Sequence, residues 1–457
     1  MNLKPSIISV DIGTTNLKAT YLNDRTVIDT VDYTYVHHRI DSQHYQMSWQ
    51  ELLSAFDSLI QQLVERYQLQ SFDIILTCAM HSVILVDTQL QPLSDIYTWA
   101  DRTGADVLAA IPKEQQAATY LLTGTPAHIM NPYYKLQSLL GHQFKGKVAS
   151  IKDLLLYHLT NQWMIDVSCA ASSGLMNYQT LSWETSLLQT IGLTENQLPT
   201  IVQGREAFPC KRYQDCHVFA GFSDGVSSNG AYSVLENTAV LSLGTSHAVR
   251  VLTRAVQLDT IIQNFAYSVD ETQYIVGLPS NNAGNVLEWI RQKYQLNWSA
   301  ITELIQQRPS ISLIFLPYVY GERAPIWQDG AQEQLIPLVE QWTTEQEVFS
   351  MIIGVLFNIK VNVRNLQSLV SFDQIALTGG LTQNIALCQL LADVLQLPLL
   401  VAQQPNIETI GSMQLIEYVA DTLDFQTYIP NNANIFAKDF QRFVKALDNY
   451  QLRLNGN

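Results

Sequence analysis

The chain has 457 residues, of which 47% are hydrophobic and 15% charged. That is core material for two or three domains and too apolar a mix for a disordered protein. Its 26 basic and 41 acidic residues leave a net charge of −15 without any long Lys/Arg run, which argues against nucleic acid or an anionic membrane as partner.

Five cysteines, none in a CxxC arrangement, predict unpaired thiols in a reducing cytoplasm. Cys210, Cys216 and His217 lie close in "PCKRYQDCHVF", but no fourth ligand stands at zinc-site spacing. The start "MNLKPSIISVDIG" does not read as a secretory signal. No apolar run approaches the ~20 residues of a membrane span.

In chain order, "SIISVDIG", "NLKATYLN" and "TVIDTVDYTYV" read as three strands joined by tight turns. "SWQELLSAFDSLIQQLVERYQL" reads as a helix. Ser48 and Glu51 form a capping-box pair, and Leu52, Leu53, Phe56, Leu59, Ile60, Leu63 and Val64 mark one face. "FDIILTCA" and "VILVD" are strands, helices fill much of 104–165, and "HVFAGFSDGVSSNGAYSV" (217–234) reads as strand, turn, helix.

"NTAVLSLGTSHAVRVLTR" (237–254) repeats the opening device. Gly13-Thr14-Thr15 is matched by Gly244-Thr245-Ser246, each after alternating apolar residues and each followed by a basic strand residue, Lys18 or Arg250. Strands, helices, a long helix near 345–369 capped by Thr344 and Glu347, and further strand–helix pairs follow. Such repetition predicts two similar α/β halves, 1–235 and 236–457.

Two facing hairpin turns can present backbone N–H and hydroxyl donors to one polyphosphate from opposite sides. Gly13 admits close backbone approach, Thr14 and Thr15 donate, and Lys18 neutralises charge. Asp11 would hold a magnesium ion through water, since Mg²⁺ dehydrates reluctantly.

With "DIGTTNLKA", "LSLGTS", "PYVYGERAPIW" (317–327) and "LTGGLTQNIALCQLLADVL" (377–395) in this order, the chain resembles the FGGY family of carbohydrate kinases. That resemblance implies the two-domain actin-like ATPase (ribonuclease-H-like) fold with a duplicated sheet-and-helix core, ATP and Mg²⁺ as cofactors, a sugar or sugar acid as acceptor, and a homodimer by family analogy only. It assigns Gly13, Thr14, Thr15, Lys18, Gly244, Thr245, Gly284, Glu288, Gly380 and Asn384 to nucleotide, with Glu408 at a position often acidic in the family.

Asp224, in "GFSDGVSSNG", becomes the expected general base. Small residues surround it, and a helix start favours its ionised form. Asp224 also joins Asp11 as an expected metal ligand. Acceptor contacts are expected from His81 and Ser82 in "CAMHSVILVD" and from Trp99, Asp101 and Arg102 in "TWADRTG".

"AMHS", "TWAD", "TGTPAHIMNP" and "SDGVSSN" are similar to gluconokinase-like members. They imply phosphorylation of D-gluconate to 6-phospho-D-gluconate, with D-xylulose phosphorylated at O5 as the alternative. Arg102, His81 and Lys135 are the expected cationic partners of a carboxylate. Two departures stand out: Gln332 and Glu333 replace the family's Ala-Arg-Gly stretch after Trp327, and Ser138 stands where Trp is common. A non-catalytic member or an actin-type nucleotide switch would share the hairpins but have no use for an acceptor base.

Overall fold

The computed structural model describes residues 5–36, 38–41, 44–140, 144–404, 406–418, 423–431 and 435–455. The opening strands form an antiparallel meander of β1 (Ser6–Ile12), β2 (Asn16–Asn23) and β3 (Thr26–Thr34). Helix α1 (Trp49–Tyr67) follows, burying Leu52, Phe56, Leu59, Ile60 and Leu63 at helical spacing. The Ser48 hydroxyl accepts from the Glu51 N–H at 3.3 Å. The Glu51 carboxylate accepts from the Tyr33 hydroxyl and the Val36 N–H, which ties the helix to β3.

Strand β4 (Phe72–Cys78) is buried at every position, as expected of a parallel strand covered on both faces. Next come α2 (Pro132–Leu139), α3 (Ile151–Thr160), α4 (Val167–Ala171), β5 (Ala207–Pro209), β6 (Cys216–Ser223) and α5 (Asp224–Gly230). β6 passes straight into α5; the turn expected between them is replaced by Ser223, which keeps extended dihedrals at the N-cap. The first sheet runs β5-β6-β4-β1-β2-β3.

The second half holds β7 (Thr238–Leu243), β8 (His247–Thr253), β9 (Phe265–Ser268) and β10 (Tyr274–Ser280). Then follow α6 (Gly284–Lys293), α7 (Trp298–Gln307), α8 (Thr344–Gln367), β11 (Gln374–Thr378) and α9 (Ile385–Leu395). The chain finishes with β12 (Leu399–Ala402), α10 (Ile407–Leu415), β13 (Phe425–Tyr428) and α11 (Ala437–Asn455). This sheet runs β9-β10-β8-β7-β11-β12-β13. The order β3-β2-β1-β4-β6 therefore recurs as β10-β8-β7-β11-β12, with the same antiparallel meander followed by two parallel strands. The duplicated Gly-Thr turns head the same strand pair in each half.

Two expectations about α8 need correction. Its cap is Thr343 with Gln346, one residue ahead of Thr344 and Glu347. Glu347 is drawn away by the Tyr294 hydroxyl at 2.5 Å and the Trp342 indole N–H at 2.9 Å. Among the described residues α8 is also long and apolar enough to cross a membrane, contrary to the sequence reading. Its apolar residues, Met351, Ile352, Val355, Leu356 and Ile359 among them, are instead buried in the second core.

The two halves are pinned where α5 crosses α10. A Cβ on Gly411 would lie 1.7 Å from the Ser227 carbonyl oxygen, so only glycine permits this approach. Beside the crossing, the hydroxyls of Thr77, Ser227 and Ser412 bond one another at 2.8–3.2 Å. Met413 and Ile416 from the far end of the chain thereby join the first core.

Candidate active site

Strand register builds the site. Ile12 pairs with Cys78, and Cys78 with Ser223, so Gly13, Ala79 and Asp224 emerge side by side from three parallel strand ends. In the second half Ser242 pairs with Thr378, which brings Gly244 and Gly379 together. Carboxyl ends of parallel strands are where open α/β sheets bind ligands.

The two Gly-Thr turns differ in detail. The Gly13 N–H donates to the Asn16 carbonyl at 3.0 Å, and a Cβ there would crowd the same oxygen. The Gly244 N–H donates to Ser246, and a Cβ on Gly244 would meet little of the protein. Thr14 and Thr15 form the first turn. Thr245 sits exposed at the second, with its carbonyl accepting from the Asn285 N–H. Gly284 opens α6 directly against Gly244, donating to its carbonyl at 3.0 Å.

Beyond Gly284 an open cavity is lined by Trp298, Thr302, Ile305, Gly380, Leu381 and Asn384. Asn384 caps α9 and donates from Nδ2 to the Thr302 hydroxyl at 3.0 Å. Gly379 holds the left-handed turn (φ +100°) that leads into this wall. Glu288 does not reach the cavity wall. It chelates the Arg291 guanidinium at 2.6 and 2.7 Å, and that pair holds its carboxyl down at about 2.

Asp224 lies in a cleft between the halves, a cavity of about 190 Å³. Met80, His81, Trp99 and Met130 line it from the first half, and Ser246, His247, Arg250, Tyr267 and Arg323 from the second. The Asp224 Oδ1 accepts from the Gly225 N–H at 2.7 Å. Burial raises its carboxyl, and the nearby Arg250 opposes that rise. The Asp11 carboxyl is pushed up to about 7 by burial and by the facing Glu408 and Asp224 carboxylates, with Lys18 opposing.

Such mutual repulsion is what a cation between Asp11 and Asp224 would relieve. Among the described residues no three His, Cys, Asp or Glu side chains converge to chelate a bare metal. The donor set therefore fits an ion that keeps most of its water and takes one or two carboxylates plus phosphate, as Mg²⁺ does.

Of the expected acceptor contacts, His81 and Trp99 reach the cleft. His81 is neutral there: burial takes its imidazole down to about 3, and Nδ1 is spent on the Ser172 carbonyl at 2.6 Å. It can accept from a hydroxyl through Nε2 but is no cationic partner. Ser82 turns away, accepting from the Ile151 N–H at the start of α3.

Asp101 is fully buried and occupied by the Tyr45 and Thr103 N–H groups and the Gln46 amide. Arg102 is not among the residues that line the cleft; it pairs with Asp329 at 3.2 Å, and His128 bonds the same carboxylate at 3.1 Å. Lys135 is buried on the Ile129 carbonyl. Arg250, Tyr267 and Arg323 were not assigned from sequence. "GERAP" contains Arg323 and the strand after Gly-Thr-Ser carries Arg250, but a charged residue in either place reads equally well as solvated.

Comparison with known proteins fits this geometry. The model of the FGGY carbohydrate kinase N-terminal domain matches residues 6–226, and that of the C-terminal domain matches 239–418. The chain belongs to the FGGY family of carbohydrate kinases and is a phosphotransferase of that class. It is 26% identical to the gluconokinase of Bacillus subtilis (strain 168) over 92% of this chain and 88% of that one. Among solved structures it is similar to a gluconate kinase from Lactobacillus acidophilus (TM-score 0.91, 26% identity, 98% and 99% of the two chains covered). A ligand-bound xylulose kinase from the same organism follows (TM-score 0.88, 26% identity, 99% and 98% covered).

Proposed function

We propose that this kinase transfers the γ-phosphoryl group of ATP to the C6 hydroxyl of D-gluconate, giving 6-phospho-D-gluconate in the cytoplasm. The observation that carries the reading is Asp224: a carboxylate at the end of a strand, in a cleft beside the second Gly-Thr turn, with a guanidinium close by. Asp224 takes the acceptor's proton as the oxygen attacks; such a base contributes about 10²–10⁴-fold.

The turns at Gly13-Thr14-Thr15 and Gly244-Thr245, together with Lys18, hold the phosphates. The wall that includes Gly380 and Asn384 receives the nucleoside, with Gly284 beside the second Gly-Thr turn. His81 accepts from a chain hydroxyl and Trp99 covers the sugar. A magnesium ion, when bound, neutralises phosphate charge; Asp11 and Asp224 would hold it. We place the division between the phosphate- and acceptor-binding half and the nucleotide-binding half near residue 235.

A second reading, D-xylulose phosphorylated at O5, is supported by the similarity to the xylulose kinase fold. The test is acceptor-dependent ADP release on both compounds. The proposal expects kcat/KM for D-gluconate to exceed that for D-xylulose by at least about tenfold, a transition-state preference of about 1.4 kcal/mol. The reverse preference overturns it.

A further inference from the structure

The carboxylate of a sugar acid needs a cationic partner, and the three first expected are engaged elsewhere or neutral. Two guanidiniums line the cleft instead. Arg250 stands at the Asp224 end, its Nε 3.3 Å from where a Cβ on Gly225 would lie, and it donates to the Ser242 hydroxyl at 3.0 Å. Arg323 lines the same cleft, 5.6 Å from the centre of the Trp99 ring.

Arg323 is buried, at 9% exposure. A guanidinium has five N–H donors. Here Nη2 donates to the Ser280 carbonyl at 2.9 Å and Nη1 faces the Met130 sulfur at 3.8 Å. Among the described residues its Nε–H has no partner, nor has the buried Tyr267 hydroxyl in the same cleft. The neighbouring Glu322 does not supply one. Its carboxylate accepts from Ser280, Asn281, Asn282, Asn358 and the Arg323 backbone N–H. A buried cation with unused donors is costly unless something completes it. Burial accordingly draws the Arg323 guanidinium down to about 10.

We infer that Arg323, with the Tyr267 hydroxyl beside it, receives the carboxylate of an aldonate acceptor whose far-end hydroxyl faces Asp224. This rests on the sugar-acid reading above. A planar carboxylate accepts from a guanidinium through two parallel bonds, which gives direction as well as affinity. Arg323 thus determines which acceptors are held, and Asp224 where they react.

The test uses calorimetric binding of D-gluconate and of D-glucitol, the same carbon chain with an alcohol replacing the carboxylate. Wild type should bind D-gluconate at least about tenfold tighter than D-glucitol. Arg323→Gln should weaken D-gluconate by about tenfold or more and leave D-glucitol within about threefold, as expected for one charged hydrogen-bonding pair. ADP affinity, unchanged within about threefold, reports an intact fold.

Should Arg323→Gln fail to fold, Arg323→Lys and Tyr267→Phe decide. Each should lower the preference for D-gluconate by about threefold or more, since a point charge or a ring without its hydroxyl loses part of the fork. Wild type that shows no preference for D-gluconate removes the sugar-acid reading itself. Wild type that prefers D-gluconate, with the preference intact in the variants, overturns only the Arg323 assignment.

Discussion

Replacing Gly411 with alanine is a test of how the fold holds Asp224 in place. The new Cβ would fall 1.7 Å from the Ser227 carbonyl oxygen and 2.6 Å from the Ala231 N. Both are backbone atoms, so no side chain can swing aside. To reach even a 3.0 Å contact, α5 and α10 must part by about 1.3 Å. Helix α5 has little slack, because it continues directly from β6 and its Ser227 hydroxyl is tied to Thr77 and Ser412. The displacement therefore reaches Asp224, the first residue of that helix. Overpacking costs about 1–3 kcal/mol, and a misplacement of about 1 Å costs about 10²-fold in rate. The assay is steady-state ADP release with thermal melting and ADP calorimetry alongside, and Gly330→Ala, which adds a methyl group into open space, serves as control. The expected result is a kcat about 100-fold lower with ADP affinity retained. A kcat within about threefold of wild type would refute the idea that this crossing positions the base.

Two further perturbations address the interior. His247 donates from Nδ1 to the Asn282 carbonyl at 3.0 Å, and its Nε2 lies 3.1 Å from the Asn362 amide, so both nitrogens are served only in the neutral ring. Burial holds it at about 4, below the ordinary 6.5 of an unfolded chain. Between those values the unfolded state binds the extra proton, so stability falls as pH drops from 7 to 5, by about 2 kcal/mol from this group. Urea unfolding should show that pH-dependent loss diminished by the same amount in His247→Gln; an identical pH dependence would count against it. Separately, Lys152 and Asp166 form a 2.8 Å ion pair with both side chains essentially inaccessible. Lys152→Met strands the carboxylate and should cost about 3–5 kcal/mol in urea unfolding, and a loss below about 1 kcal/mol would show the pair to be dispensable.

The duplicated architecture was legible because its signal is local and repeated. Alternating apolar residues, a Gly-Thr turn and a following basic residue recur in both halves, and the sheets repeat the same strand order. Asp224 was legible for a similar reason, since small residues and a strand-to-helix passage are written in adjacent positions. The acceptor contacts were less so, because their partners are remote in sequence. Asp101 looks free until Tyr45 and Gln46 are seen on it, and Arg102 until Asp329 meets it from the other half. Arg323 shows the converse: only the fold reveals that an arginine in a loop is buried with donors to spare. The one-residue shift of the α8 cap has the same origin, in the pull of Tyr294 and Trp342 on Glu347.

The most direct test of the account is Asp224→Asn in the coupled ADP assay with ATP and D-gluconate. The substitution keeps the size and the hydrogen bond to Gly225 but removes the proton acceptor. The expected outcome is a kcat lower by about 10²–10⁴-fold with ADP affinity essentially unchanged. Turnover within about threefold of wild type would contradict it and take Asp224 out of the mechanism.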